Sequence, residues 1–173
     1  MTDNNEIFNY TYYITHRQYG VASYHEANNT VSLFEFDGLY VEKIEPDYPE
    51  MVCIQKVFSY DTLKLKKKGH YLKHGNVSIG TWEYFDENGQ LEHTTNMDIN
   101  FPVTWEKLEE ILKDKSISLY AVDSIFRYYD AEKDEATWSI IINLPMEKGQ
   151  LYVFDARTGE LIEKEIIDMS KEE

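Results

Sequence analysis

The sequence predicts an α+β protein, in which an antiparallel β-meander is followed by a helix packed on a C-terminal antiparallel sheet. Short aromatic or β-branched runs separated by turn-forming residues fill the N-terminal half. One amphipathic segment, Thr104–Lys115, comes next, and more strand-like runs follow it. Helix and strands segregated in this way are typical of α+β proteins. The length of 173 residues suits one continuous domain or two small domains, which we place at 1–100 and 101–173.

The N-terminal third is predicted to be mainly β-structure. Asn28-Asn29 and Asp37-Gly38 are turn-forming pairs, and another turn is predicted at residues 46–49. A helix around His16–Glu26 is also compatible with the pattern. The predicted strands, which are rich in aromatic or β-branched residues, are Ile7–Thr15, Val31–Phe36, Leu39–Ile44 and Met51–Tyr60.

The middle of the chain is predicted to continue the meander. Asn88-Gly89 supplies the positive φ of a tight hairpin turn, so Gln90–Met97 should return antiparallel to the strand before it. Lysines alternate with leucines here, which indicates an edge strand whose lysines discourage further pairing, and an anion-binding site is the alternative. The predicted strands before the turn are Thr62–Lys67, Tyr71–Lys73 and Val77–Phe85, and the lysines are Lys64, Lys66, Lys67, Lys68 and Lys73.

The helix prediction for Thr104–Lys115 depends on its start signals and its apolar face. Pro102 precedes the segment, Thr104 can cap it, and apolar residues then recur at helical spacing. Turns are predicted at Asp130–Glu135 and Asp155–Gly159. The four strands predicted around these turns are Val122–Tyr129, Thr137–Leu144, Leu151–Phe154 and Leu161–Ile167.

The charge balance indicates which kind of partner the protein favours. Lys and Arg number 17 against 32 Asp and Glu, so the net charge is −15. This sign opposes phosphate neutralisation and disfavours direct nucleic-acid binding, whereas it favours a basic protein partner. The alternative is that the charge only keeps the protein in solution. Because no signal peptide or membrane span is visible, we expect a cytoplasmic protein that does not bind membranes.

The residues that carry chemistry in other proteins form no recognisable constellation here. Cys53 lies in an apolar run and is interpreted as a small buried hydrophobe. His70 and His74 have helical spacing, but the strand-like residues between them argue against a metal site. No phosphate loop, nucleophile elbow or zinc-protease motif occurs. We therefore expect no enzyme, no cofactor and no metal, and an enzyme of unrecognised type is the alternative.

Two segments resemble known modules. The run Gly75–Leu91, with Trp82, Asp86 and Asn88-Gly89, resembles one MORN-like repeat as found in bacterial antitoxin proteins. The helix, the following strands and the ending Leu151–Ile162, read as LYVFDARTGELI, are similar to PepSY-type domains. The first resemblance implies a hairpin, and the second implies only the shape of the C-terminal part.

Together these modules are similar to the acidic immunity proteins of bacterial toxin systems, which hold a toxin inactive by covering it. The resemblance implies an antitoxin that binds a cognate, basic toxin, for example a nuclease, in a stoichiometric complex. The alternative is a scaffold protein that binds a small molecule or a peptide. Acids at predicted hairpin tips are the candidate partner-binding residues, with tyrosines on an exposed sheet face as anchors. These acids are Asp86, Glu87, Asp130, Glu132, Asp134 and Glu135.

Overall fold

The computed structural model describes residues 6–47 and 49–170, so Tyr48 of the predicted turn at 46–49 lies outside the described residues. The chain divides into two compact units. The N-terminal unit comprises Met1–Tyr71 and Ser78–Met97, and the C-terminal unit comprises Leu72–Val77 and Asp98–Glu173. The structure is mostly antiparallel β, with two α-helices.

The seven strands of the first sheet follow one another in chain order, which confirms the predicted meander. The first four strands pair antiparallel with their neighbours, and so do the last two. One helix precedes them. The elements are α1 (Tyr10–His16), β1 (Val21–Glu26), β2 (Asn29–Phe36), β3 (Leu39–Pro46), β4 (Val52–Ser59), β5 (Leu65–Leu72), β6 (Val77–Phe85) and β7 (Leu91–Asn96).

The prediction of a strand at Ile7–Thr15 is wrong, because most of this segment forms α1. Asn9 caps the helix by accepting a hydrogen bond from the Tyr12 amide at 3.2 Å. Tyr13 then packs into the core, where its ring meets the ring of Phe8 at 5.7 Å. Tertiary packing of these aromatic residues therefore overrides their local preference for strands.

The helix considered at His16–Glu26 is also wrong. Its second half is β1, in which Ala22 is buried between exposed neighbours. Gly20, with φ 85°, lies in the turn before the strand, and glycine adopts this left-handed backbone without steric cost. The Tyr19-Gly20 turn thus ends any helix before β1.

The predicted strands Thr62–Lys67 and Tyr71–Lys73 both overlap one strand, β5, although Thr62–Lys64 and Lys73 lie outside its bounds. Gly69 lies in the extended strand beneath the indole ring of Trp82 on β6. A Cβ at Gly69 would overlap that ring, so the glycine permits close packing. β5 lies between β4 and β6, which overturns the edge-strand interpretation of its lysines.

The core of the N-terminal unit lies between α1 and one face of the sheet. Phe8 stacks on Tyr40 of β3 with ring centroids 4.6 Å apart. Aromatic rings buried in such pairs contribute both apolar area and ring–ring attraction. The buried cluster consists of Phe8, Tyr13, Ala22, Val31, Leu33, Tyr40, Phe58, Leu65 and Phe85.

The C-terminal unit contains one helix and a sheet whose strands also follow chain order. The predicted helix is confirmed within one residue at each end, although the Thr104 side chain makes no capping bond. Trp105 of the helix meets Trp138 of the sheet with centroids 6.4 Å apart. The elements are α2 (Trp105–Asp114), a short 3-10 turn (Leu119–Ala121), β8 (Val122–Asp130), β9 (Glu135–Leu144), β10 (Lys148–Asp155) and β11 (Leu161–Asp168).

Among the described residues, no helix has the length and apolar character needed to cross a membrane.

Candidate protein-binding face

One face of the C-terminal sheet is covered by α2, and the other face is not. Side chains alternate between faces along a strand, so the residues that pack toward α2 define one face. On this face, Ile125, Trp138, Ile140 and Phe154 are each 0% exposed. The residues between them point to the other face, on which the described part of the unit places no helix.

This second face, which we call the open face, is organised in rows across the strands. Strand pairing sets Phe126 opposite Ser139, Ser139 opposite Val153, and Val153 opposite Glu163. This row runs from Phe126 of β8 to Glu163 of β11, and the row through Ile141 and Leu151 ends at Glu165. The open face comprises Phe126, Tyr128, Thr137, Ser139, Ile141, Leu151, Val153, Glu163 and Glu165.

Two aromatic side chains of the open face are accessible to a partner. Phe126 is 49% exposed and Tyr128 is 65% exposed. A single exposed apolar side chain is ordinary, but here two aromatics of β8 share one face with the half-buried Leu151 and Val153 of β10. Burying such rings contributes strongly to the free energy of protein association.

The tip of the β8–β9 hairpin lies at one end of this face and contains four of the predicted site residues. The carboxylate of Asp130 accepts hydrogen bonds from the amides of Glu132 at 3.0 Å and Lys133 at 3.3 Å. The Lys133 amide, followed by that of Glu132, lowers the pKa of Asp130. Asp130 therefore holds the turn in place and is not free to move toward a partner.

Asp134 is engaged as well. It accepts a hydrogen bond from the Tyr129 hydroxyl at 3.0 Å and pairs with the guanidinium of Arg157 in the turn between β10 and β11. The bond to Asp134 raises the pKa of Tyr129. Glu132 and Glu135 are exposed at the tip, so these two are the acids best placed to meet a partner.

The remaining predicted site residues, Asp86 and Glu87, belong to the N-terminal unit. Asp86 accepts hydrogen bonds from the amides of Gln90 at 2.8 Å and Asn88 at 2.9 Å. The Gln90 amide gives the largest part of the lowering of the Asp86 pKa. Glu87 is exposed, and its carbonyl accepts a bond from the Lys64 ammonium at 3.0 Å.

The turn at Asn88-Gly89 differs in detail from the prediction. Only Gly89 has positive φ, at 81°, and the strands pair with a register shift between Tyr84 and Phe85. The connection is therefore longer than a two-residue hairpin turn, and a bulge accommodates the extra residue.

A cleft of about 630 Å³ lies beside this turn. Its volume falls within the range of small-molecule sites, but such sites are mainly apolar with few polar groups. Charged or polar side chains dominate here, among them Asp61, Lys64, Lys66, Asp86, Glu87 and Glu92. The cleft therefore has the character of a solvated groove between turns.

Two of the three lysines of β5, Lys67 and Lys68, make specific contacts. Lys68 pairs with Glu83 at 3.3 Å and with Glu6 at 3.7 Å, and Lys67 lies 5.5 Å from the Trp82 ring centroid. An anion that bound Lys68 would have to compete with the carboxylates of Glu83 and Glu6. The alternative of an anion site on this strand gains no support.

No cluster of three or more His, Cys, Asp or Glu side chains in the described ranges is arranged to hold a metal ion. Cys53 is buried and its thiol lies 3.6 Å from the carbonyl of Met51, so it is placed as the small hydrophobe that the sequence predicted.

Sequence reasoning missed Phe126, Glu163 and Glu165 as members of one face. Their alternation along β8 and β11 was visible, but the strand register that brings the two strands' residues into one row was not.

In comparisons with protein-family models, curated protein sequences and solved structures, no match to this chain was found.

Proposed function

We propose that this protein is an immunity protein, or antitoxin, that neutralises a cognate basic toxin by stoichiometric binding through the open face. One observation carries the proposal: Phe126 and Tyr128 stand exposed on a sheet face that ends in Glu163 and Glu165. This arrangement combines aromatic anchors with peripheral carboxylates, as protein interfaces do.

The two kinds of residue have separate tasks in this proposal. The aromatic rings and the side chains of Leu151 and Val153 lose water on binding and contribute most of the affinity. The carboxylates of Glu132, Glu135, Glu163 and Glu165 attract a basic surface and accelerate association. Binding should therefore weaken with added salt, mainly through a lower association rate.

The net charge of −15 favours a basic partner, and the resemblance to antitoxin modules is what favours a toxin among basic partners. A nuclease is the type of toxin whose surface fits best, because its substrate channel must attract phosphates and is therefore basic. An acidic protein can occupy such a channel and exclude the nucleic acid. We also propose that the protein acts in the cytoplasm and that it catalyses no reaction.

The test starts from capture of the tagged full chain's partner in cells of its source, with identification by mass spectrometry. The partner is then expressed alone and together with the chain. We expect a basic protein that stops growth alone, is harmless in the pair, and co-elutes with the chain in equimolar amounts. A partner without toxicity, or a bound small molecule in place of a protein, would contradict the proposal.

Substitutions on the open face locate the interface. Phe126→Ala with Tyr128→Ala should weaken the complex by ~2–4 kcal/mol, while Tyr19→Ala, at a fully exposed tyrosine of the other unit, should leave affinity unchanged. Equal effects of the two changes would show that binding does not use the open face.

Two pairs of charge reversals, both within the C-terminal unit, separate local steering from the effect of total charge. Glu132→Lys with Glu135→Lys should slow association, whereas Glu106→Lys with Glu110→Lys on α2 changes net charge equally but away from the open face. If both pairs slow association alike, the effect comes from total charge and local steering is absent.

A further inference from the structure

Among the described strands, β11 forms one edge of the C-terminal sheet. β11 is the terminal strand on its side, and all eight of its residues are exposed or half-exposed. On the opposite edge, β8 is already bonded, since the Ile125 amide donates to the carbonyl of His74 at 2.6 Å. An unpaired edge strand of this length presents backbone groups that can pair with another strand.

The register identifies the backbone groups that point outward from β11. Met169 donates its amide hydrogen bond to the carbonyl of Glu147 at 2.9 Å, just beyond the end of the β10–β11 ladder. Bonded and non-bonded pairs alternate in an antiparallel ladder. It follows that Lys164 and Ile166 direct their amides and carbonyls away from β10.

The side chains of β11 indicate which strand would fit. Glu163 and Glu165 lie on the open face, while Ile166, which is 64% exposed, lies on the opposite face. The ammonium of Lys164 is turned onto the Tyr152 ring, 5.3 Å from its centroid. The edge therefore presents carboxylates on one face and an accessible apolar side chain on the other.

A second copy of this chain does not fit the edge. In antiparallel pairing of two identical strands, opposed residues share one face of the joint sheet. Centred registers would then set Glu163 against Glu165, or one of them against itself. Opposed like charges are destabilising, so the edge is protected from self-association.

We infer that β11 receives an extended segment of the basic partner, which adds as a fifth strand with Lys or Arg against Glu163 and Glu165. Strand addition gives affinity through backbone hydrogen bonds and specificity through alternate side chains. The inference rests on the proposed function and names the part of the partner that enters the site. The added strand would extend the open face at its acidic end.

The direct test measures binding of a synthetic peptide, in which Lys alternates with Val, to the full chain. Binding is followed by fluorescence anisotropy and by amide hydrogen exchange. We expect the peptide to bind and to slow exchange of the Lys164 and Ile166 amides about tenfold or more. A peptide in which Glu replaces Lys should not bind.

A backbone control separates strand addition from simple charge attraction. The same peptide, N-methylated at alternate residues, keeps its charge but loses its hydrogen-bond donors, so it should bind about tenfold or more weakly. Equal binding of both peptides, or unchanged exchange at Lys164 and Ile166, would overturn the inference.

A protein variant gives a second route. Ile166→Pro removes an outward amide, which edge strands tolerate, and Ile166→Val keeps it. Ile166→Pro should abolish the slowing of amide exchange at Lys164 that the peptide causes, and Ile166→Val should retain it. Circular dichroism checks that both variants are folded. Loss of the natural partner with Phe126→Ala but not with Ile166→Pro would overturn strand addition and leave the proposed function standing. Peptide addition at β11 without any toxic partner would sink the proposed function instead.

Discussion

The indole N–H of Trp138 donates a hydrogen bond of 2.9 Å to the backbone carbonyl of Val103. The amide of the same Val103 donates to the carbonyl of Ala156 at 2.8 Å. All three residues are buried. Val103, two residues before α2, is thus attached both to β9 and to the turn after β10, and this double attachment sets where the helix begins over the sheet.

Trp138→Phe should lower the free energy of unfolding of the C-terminal unit by ~1–3 kcal/mol, because the buried carbonyl of Val103 loses its donor. Chemical denaturation followed by circular dichroism measures this loss. Phe154→Leu, another fully buried ring in the same sheet, removes volume without removing a donor and should cost less. The hydrogen bond would have little importance if both variants lost the same stability.

Gly69→Ala should destabilise the N-terminal unit by ~1–3 kcal/mol, because its Cβ would overlap the indole ring of Trp82. In a chain that already carries Trp82→Leu, the same change should cost much less, since the smaller side chain can move aside. A double-mutant cycle by urea denaturation gives the coupling. Independent effects of the two changes would show that the ring does not restrict this position.

The turn after β10 should make stability depend on acid pH. Asp155 accepts hydrogen bonds from the amides of Thr158 at 2.7 Å and Arg157 at 2.8 Å, and the Thr158 amide contributes most to lowering its pKa from 3.8. The stability that these bonds provide is present above pH 3.8 and is lost as pH falls through the lower, folded-state pKa.

Asp155→Asn keeps an acceptor oxygen but cannot titrate. Its free energy of unfolding should therefore decrease less between pH 4 and pH 2 than that of the unchanged protein, as measured by urea titrations across this range. Glu160→Gln removes an exposed carboxylate from the same turn and serves as the control. The same acid dependence in Asp155→Asn as in the unchanged chain would exclude this role of Asp155.

Stability at high pH should depend on Tyr40. Burial raises the pKa of this phenol to about 12, and its ring lies between those of Phe8 at 4.6 Å and Tyr60 at 5.1 Å. Because the folded-state pKa lies above the ordinary value of 10.0, the stability is complete below pH 10 and decreases as pH rises toward 12.

Tyr40→Phe should remove this part of the alkaline dependence, whereas Tyr19→Phe, at a fully exposed ring, should retain it. Ultraviolet absorbance of the phenolate gives the titration, and denaturation at each pH gives the stability. If Tyr40 ionises together with the exposed tyrosines, the ring is not shielded as described.

The strands and α2 could be predicted where a local signal agreed with the packing. Thr104–Lys115 combines start signals and an apolar face, and the structure has α2 at Trp105–Asp114. Asp37-Gly38 likewise marks the turn between β2 and β3. At α1 the signals disagreed: its tyrosines favour a strand, and only the space over β3, which the sequence cannot reveal, makes a helix the better arrangement.

The sequence indicated which residue types form the candidate site, but not which of these residues become neighbours in the sheet. The acids of Asp130–Glu135 were expected at a hairpin tip, and the structure places them there. Their individual roles depend on directions of side chains: Asp130 and Asp134 bind within the protein, while Glu132 and Glu135 extend outward. Periodicity indicates which face a residue shares, whereas strand register decides which residues become neighbours.

The chain-order arrangement of the first sheet has a consequence for how it forms. Each paired hairpin closes a short stretch of chain, so strands can join the sheet one at a time as they leave the ribosome, and low contact order of this kind accompanies fast folding. The exception is Phe8, whose cluster includes Leu65 and Phe85 from strands made much later. Phe8 and Tyr13 therefore complete their packing only after β6 has been synthesised, and until then part of their ring surface stays open to solvent.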